Sequence, residues 1–541
     1  MKLPVVRGIR LLGIRLLVAV VTSTVLFIPL GAQEEAAAAT VLRVPQDHPT
    51  IQAAIDAAVS GDTVLVSPGT YVERIDYRDK EITVESTDGP ATTIIDGNQT
   101  AGVVRMVAGA GQTPVLRGFT IRNGFDTASV GGGGVFTSGG PALIEGNWVS
   151  GNVSCSGGGI NAQFSAATIR DNIVSDNRPN CEGGLGGGGI LASGAGTAQV
   201  LNNVIRGNVS GRDGGGISLW AAGTPTVSGN VISNNSMSIG VGGGISLVNQ
   251  SDALITNNFI VGNSAIYGGG IAWLVPFGPP GPTVVNNTIA GNSALRGSAV
   301  LADGFDAATK LTSNILVGSG SQTVLECAAS NDLNPPLIAY DDVFNTDSGP
   351  VYGGICTDQT GQNGNISADP LFIDSAAGDV HVRARSPVVD AGLNVGAPAT
   401  DIDGDPRPLD GNGDGVPVVD IGADEAPAGD TTPPTITCAA TPSVLRPPNH
   451  ELRQVSVDLS ASDHSGSVAV TLVSITSSQP DSGLGRTDVP DDIQGWSIGM
   501  DDRSGLLRAE RFRTSRIYTL TYRAEDPAGN TASCQTTVTV Q

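Results

Sequence analysis

A Gly-Gly-Gly-Ile corner, followed about fourteen residues later by Asn-x-[Val/Ile]-x-x-Asn, recurs down the middle of this 541-residue chain. It stands at Gly157 to Ile160 with Asn172 and Asn177, and at Gly187 to Ile190 with Asn203 and Asn208. It returns at Gly214 to Ile217 with Asn230 and Asn235, Gly242 to Ile245 with Asn258 and Asn263, and Gly268 to Ile271 with Asn287 and Asn292. Looser copies flank these at Gly132 to Val135 with Asn147 and Asn152, and at Gly297 to Val300 with Asn314. The leading Asn residues are 25 to 31 apart, and a period of that size belongs to a solenoid or propeller.

Alignment on the leading Asn exposes three apolar ladders. Three positions before it stand Ile144, Ile169, Val200, Val227, Ile255, Val284 and Leu311; two positions after it stand Val149, Val174, Ile205, Ile232, Ile260, Ile289 and Leu316. Directly after the glycine corner stand Val135, Ile160, Ile190, Ile217, Ile245, Ile271 and Val300. Short β-branched segments bounded by Gly and Asn predict strands, three per coil, with one core ladder on each side of a triangular coil. Asn is expected at the corners because it tolerates the left-handed backbone and its stacked amides can hydrogen-bond along the axis. Glycine serves the other corner. The two Asn are always five residues apart, whereas the stretch from the second Asn to the third Gly varies from seven to twelve, so insertions belong in that loop.

These residues resemble the right-handed parallel β-helix proteins of the pectin-lyase-like superfamily. The resemblance extends upstream to Val44-Pro45-Gln46-Asp47-His48-Pro49-Thr50-Ile51-Gln52-Ala53-Ala54-Ile55, which implies a short helix capping the open end of the coil. Ile51, Ile55 and Val59 share one helical face, and Thr50 is placed to cap it. Downstream, Ala368-Asp369-Pro370-Leu371-Phe372, Ser386 to Gly392, Asp403 to Pro408 and Asp420 to Glu425 look like the terminal segment of bacterial surface β-helix proteins. The expected fold is all-β: a right-handed parallel β-helix over residues 40–427 and a linker at 428–434. An immunoglobulin-like β-sandwich over 435–541 follows, resting on alternating segments such as Val455 to Leu459 and Tyr518 to Tyr522.

Residues 1–39 run from basic (Lys2, Arg7, Arg10, Arg15) through apolar (Leu16 to Leu30) to small, the order of a secretory signal peptide. An uncleaved anchor is the alternative, and no stable membrane span is expected after cleavage. The expected location is secreted or at a bacterial cell surface. In an exported chain the six cysteines should pair, and the expected bonds are Cys155 to Cys181, Cys327 to Cys356 and Cys438 to Cys534. The first two residues fall in the same loop of consecutive coils, about 4.8 Å apart, within the reach of a disulfide. A formal charge of 29 − 52 = −23 argues against nucleic acid or an anionic membrane as partner.

Chemistry is harder to place. Enzymes of the resembled fold work on the coil's outer face, but the positions two and four past the glycine corner hold one acidic residue, Asp303, and all four His (His48, His381, His450, His464) lie outside the repeats. Asp171 and Asp176 flank a corner and are the candidate acid–base pair, with solvated turn residues as the plainer account. Phe136, Trp220 and Leu274 offer an apolar strip for sugar rings, whereas Trp273, in register with Leu219, belongs to the core. Asp410-Gly411-Asn412-Gly413-Asp414-Gly415 alternates oxygen ligands as calcium loops do, with Asp420 at the eleventh place and Asp401, Asp403 and Asp405 nearby. Structural Ca2+ is the expected cofactor. The expected role is a scaffold binding polysaccharide or a cell-surface glycan, against a polysaccharide lyase or glycoside hydrolase, or a structural spacer.

Overall fold

A computed structural model describes residues 39–127, 131–179, 184–274, 281–304, 309–331, 333–427, 432–463, 468–483, 487–526 and 528–541. The expected signal peptide and most of the expected linker lie outside the described residues, as does Cys181. Among the described residues no helix is long and apolar enough to cross a membrane.

Three parallel sheets of twelve, eleven and eleven strands build the solenoid. The first runs from Val41–Val44 to Leu337–Ala339, the second from Gly69–Val72 to Asp342–Asn345, and the third from Ile75–Asp76 to Tyr352–Gly354. Each apolar ladder is the inward column of one sheet. Ile144, Ile169 and Val200 pair in register in the first, Val149, Val174 and Ile205 in the second, and Val135, Ile160 and Ile190 in the third, all fully buried. The third sheet has a second inward column in which Trp273 pairs with Leu247 and Ala302, and its indole is fully buried as expected.

The Asn residues form two amide ladders along the axis. In the first, Nδ2 of Asn147, Asn172, Asn203, Asn230, Asn258 and Asn287 each donates to Oδ1 of the next member, at 2.8–3.1 Å, as far as Asn314. The second joins Asn152, Asn177, Asn208, Asn235, Asn263 and Asn292 in the same way. One expectation needs correcting here: the ladder Asn do not adopt the left-handed backbone. The residue just before each does, as at Gly146 (φ 62°), Asp171 (φ 58°), Asn202 (φ 54°) and Gly229 (φ 69°). The corner bends on one residue, and the next supplies the amide.

Glycine at the other corner answers two demands. From Gly157 onward the first of each triplet has positive φ, 60° at Gly157, while the next two are pressed against the neighbouring coil. A Cβ on Gly158 would stand 2.5 Å from the carbonyl oxygen of Gly188, and one on Gly159 2.7 Å from that of Gly189.

The capping helix spans Ile51–Ala57 and buries Ile51, Ala54 and Ile55; Thr50 accepts from Ala53 N–H at 3.1 Å. Val59 falls beyond its last turn and is exposed, contrary to the helical-face expectation. Glu73 supplies a cap that sequence does not announce, accepting from the N–H groups of Ile51 and Gln52, both at 3.0 Å, donors the first turn leaves unpaired. Outside the first sheet, Glu85, Arg117, Glu145 and Arg170 lie in register and pair alternately, with Arg170 Nε 2.7 Å from Glu145. The cross-coil ion pair of Glu145 and Arg170 is therefore one step of a longer ladder.

Cys327 and Cys356 are bonded, Cα to Cα 5.3 Å, and so are Cys438 and Cys534 at 6.0 Å. Cys155 is also disulfide-bonded, its expected partner Cys181 being outside the described residues. Residues 435–540 form two four-stranded sheets around Val455, Val457, Leu472, Tyr518, Leu520 and Tyr522. Cys438 lies on Thr435–Thr441 in one sheet and Cys534 on Thr531–Val540 in the other, so their bond ties the sheets of an immunoglobulin-like sandwich together.

Candidate functional site

The outward face of the second sheet breaks the rule that a solvated face is polar. Its strands from Thr120–Arg122 to Thr288–Ala290 are three residues long, so the central residue points inward and the two flanking ones outward. One outward column reads Trp148, Ile173, Val204, Val231, Phe259, Thr288 and Ile315 in unbroken register. The other carries Arg122, Ser150, Ser175, Arg206 and Ser233 before turning apolar at Val261, Ala290 and Val317.

The later coils of this face are covered by the terminal segment. Val380, Val382, Val388, Val389, Ile421, Ala423 and Ala426 pack on Phe259, Ala290, Ile315 and Val317 as a second buried core. Polar clamps fix the cover: Asn257 Nδ2 donates to Thr400 O at 2.6 Å, Asn286 Nδ2 to Asp420 O at 3.0 Å, and Leu393 N–H to Ser313 Oγ at 3.0 Å. The earlier coils stay open, and Trp148 is 41% exposed. Where cover meets open face, a depression of about 570 Å³ is lined by Asn202, Val231, Phe259, Asp379, His381 and Asp403.

His381 occupies the step. Its ring stands edge-on to Phe259 with centroids 4.9 Å apart; Nδ1 lies 2.6 Å from Asp379 Oδ1 and Nε2 2.9 Å from Asp403 Oδ2. Burial opposes a charged ring, but the bond to Asp379 and the carboxylates of Asp424 and Asp403 outweigh it and hold the imidazole's pKa above its ordinary value. Burial raises that of Asp424, although one of its oxygens accepts from Val382 N–H at 2.8 Å.

The residues singled out from sequence are scattered across the coil. Asp171 and Asp176 both have positive φ, 58° and 57°, at places that Gly146 and Gly151 fill one coil earlier, so backbone geometry accounts for their position. Trp220 lies in register with Val248 and Leu274 on the third sheet, with the guanidinium of Arg212 5.1 Å from its ring. Phe136 is in the other outward column of that sheet, three coils earlier, so the three do not make one strip.

In the acidic segment the carboxylates cap backbone turns. Asp410 accepts from the N–H groups of Asp414 and Gly415, Asn412 accepts from Asp414, and Asp414 from Val416. Asp401 accepts from Asp403, Asp405 and Glu425 N–H, while Asp420 is buried and takes those of Asp390 and Ala426. Arg407 and Glu425 form a buried pair at 3.4 Å beneath them.

Trp148, Asp379, His381 and Asp424 are absent from the sequence-derived candidates. Trp148 was legible: the position after each leading Asn is apolar in every coil but that of Thr288, which is wrong for a free surface.

With geometry and register in place, the family comparison agrees with the architecture. Residues 55–273 match the model of the NosD family, described as periplasmic copper-binding protein. The fold is a right-handed parallel β-helix. A crystal structure of a pectin methylesterase mutant in complex with a hexasaccharide is also similar to this β-helix, at 13% identity and a TM-score of 0.25, over 43% of this chain and 79% of that one. No curated protein sequence matches at a significant level. The disulfides and the match to a periplasmic family fit an exported β-helix.

Proposed function

We propose that this chain is an exported scaffold that binds an acidic polysaccharide along the open part of the second sheet. The carrying observation is the in-register column Trp148, Ile173, Val204 and Val231, which ends at the depression under His381. Sugar rings present C–H faces that stack on an indole and lie along aliphatic side chains, while their hydroxyls need polar neighbours. Ser150 and Ser233 supply these in the parallel column. Arg206 there is exposed and makes no ion pair among the described residues, which suits a uronate carboxylate.

Copper binding does not carry over to the matched stretch. Residues 55–273 contain no His; Met106 is fully buried, Met237 is 8% exposed, and Cys155 is in a disulfide. Among the described residues of that stretch, those donors do not fit a copper ion.

Retention of the purified protein on immobilised neutral and uronate polysaccharides tests the proposal, with unsaturated products and reducing ends followed in the same incubations. Trp148→Ala is expected to weaken retention about ten-fold, the loss of one stacked ring, with thermal stability unchanged. Retention indifferent to Trp148 would sink this surface, and release of products would replace the scaffold with an enzyme.

A further inference from the structure

We infer that His381, Asp403 and Asp424 form a binding site for one divalent first-row transition ion, with Zn2+ as its natural probe. One ligand atom from each lies within 4.8 Å of the other two. An ion bonding N and O at about 2.0–2.2 Å gathers them with a closure of about half an ångström. Asp379 holds Nδ1, the arrangement by which a carboxylate fixes a metal-bound imidazole's tautomer and aims Nε2 at the ion. Nε2 then points a lone pair at the Asp403 carboxylate 2.9 Å away, a contact that requires a cation between them, either a proton or a metal.

The observation that favours a metal is Asp424. It is 8% exposed, spends one oxygen on Val382 N–H, and its other oxygen makes no hydrogen bond among the described residues. Three carboxylates converge on one imidazole, so a proton on the ring leaves net negative charge that a divalent ion neutralises. One nitrogen and two carboxylate oxygens suit Zn2+-class ions; Ca2+ prefers oxygen alone.

The three ligands come from the strand Asp379–Val382, the turn after Thr400 and the stretch ending at Glu425. An ion there ties together separate parts of the segment that covers the second sheet. This site stands whether or not a glycan binds.

The test uses the full exported chain, stripped with chelator and titrated with ZnCl2 by calorimetry at pH 7.5, with CaCl2 in parallel. One Zn2+ per chain is expected, raising Tm by about 2–4 °C at saturation. His381→Gln and Asp403→Asn should each weaken Zn2+ at least ten-fold and leave any Ca2+ uptake unchanged. Asp403 is half-exposed, so its variant keeps the fold, checked by circular dichroism. X-ray absorption should show one imidazole among oxygen neighbours. No Zn2+ uptake, uptake unchanged in both variants, or loss shared equally by His48→Gln overturns the proposal.

Discussion

Asn230→Ala should lower the unfolding free energy by about 3–5 kcal/mol, measured by urea denaturation. The Asn230 side chain accepts from Asn203 N–H and Nδ2 and donates to Val200 O, Ser228 O and Asn258 Oδ1, all at 2.9–3.0 Å in a fully buried stack. Truncation leaves the Asn203 backbone N–H with no water and no partner, and it removes an acceptor from Asn203 Nδ2 and a donor from Val200 O, Ser228 O and Asn258 Oδ1. Each such orphan costs about 1–3 kcal/mol, more than the net worth of the bond itself. Asn202→Gly is the paired control. Asn202 is exposed with φ 54°, at the corner where Gly146 and Gly229 stand in other coils, so its change should stay within about 0.5 kcal/mol. Equal effects at the two positions would show that the corner, not the amide ladder, carries the stability.

The same contrast explains what could be read in advance. The position that bends varies among Gly146, Asp171, Asn202, Gly229 and Asn257, residues that share only tolerance of positive φ. The position after it is Asn from Asn147 through Asn314, and a requirement for one side chain rather than a backbone class is the mark of a specific hydrogen bond. Sheets, inward columns and the capping helix follow from such spacing, because each coil repeats the same local problem. The candidate site has no repeat to reveal it. Asp379, Asp403 and Asp424 are brought together only because the terminal segment folds back over Phe259 and Ile315, and that docking is driven by apolar outward residues which a search confined to corner-relative positions passes over. Trp148 was within reach by counting from the Asn; His381 was not, since its meaning depends on partners 22 and 43 residues away.

Asp341→Asn should stabilise the chain, and by an amount that grows with pH. Asp341 follows Asn314 in the amide ladder: its Oδ1 accepts from Asn314 N–H and Nδ2, at 2.6 and 2.9 Å, as an Asn would. Its Oδ2 stands where other rungs present an amide N–H2, and it is buried with no partner. Burial therefore pushes this carboxyl up to about 7, although the bonds from Asn314 pull the other way; the adjacent Asp342 is also raised to about 7, chiefly by burial. In the unfolded chain both lose their protons near pH 4. Between about 4 and 7 the folded state thus holds more protons than the unfolded one, and stability falls as pH rises through that window. The amide that replaces the carboxyl does not titrate, and it restores the missing donors. The gain should be small at pH 4, where Asp341 is protonated in both states, and reach the order of 2–4 kcal/mol by pH 8. Asp342 accepts from Ala368 N–H and keeps its own titration, so part of the pH dependence survives in the variant. Thermal unfolding of both proteins from pH 4 to 8 checks this. A stability difference that is the same at both ends of the range would mean that the Asp341 carboxyl is not the group that weakens the ladder, whereas a difference that opens between them places a buried proton in the one rung built from Asp.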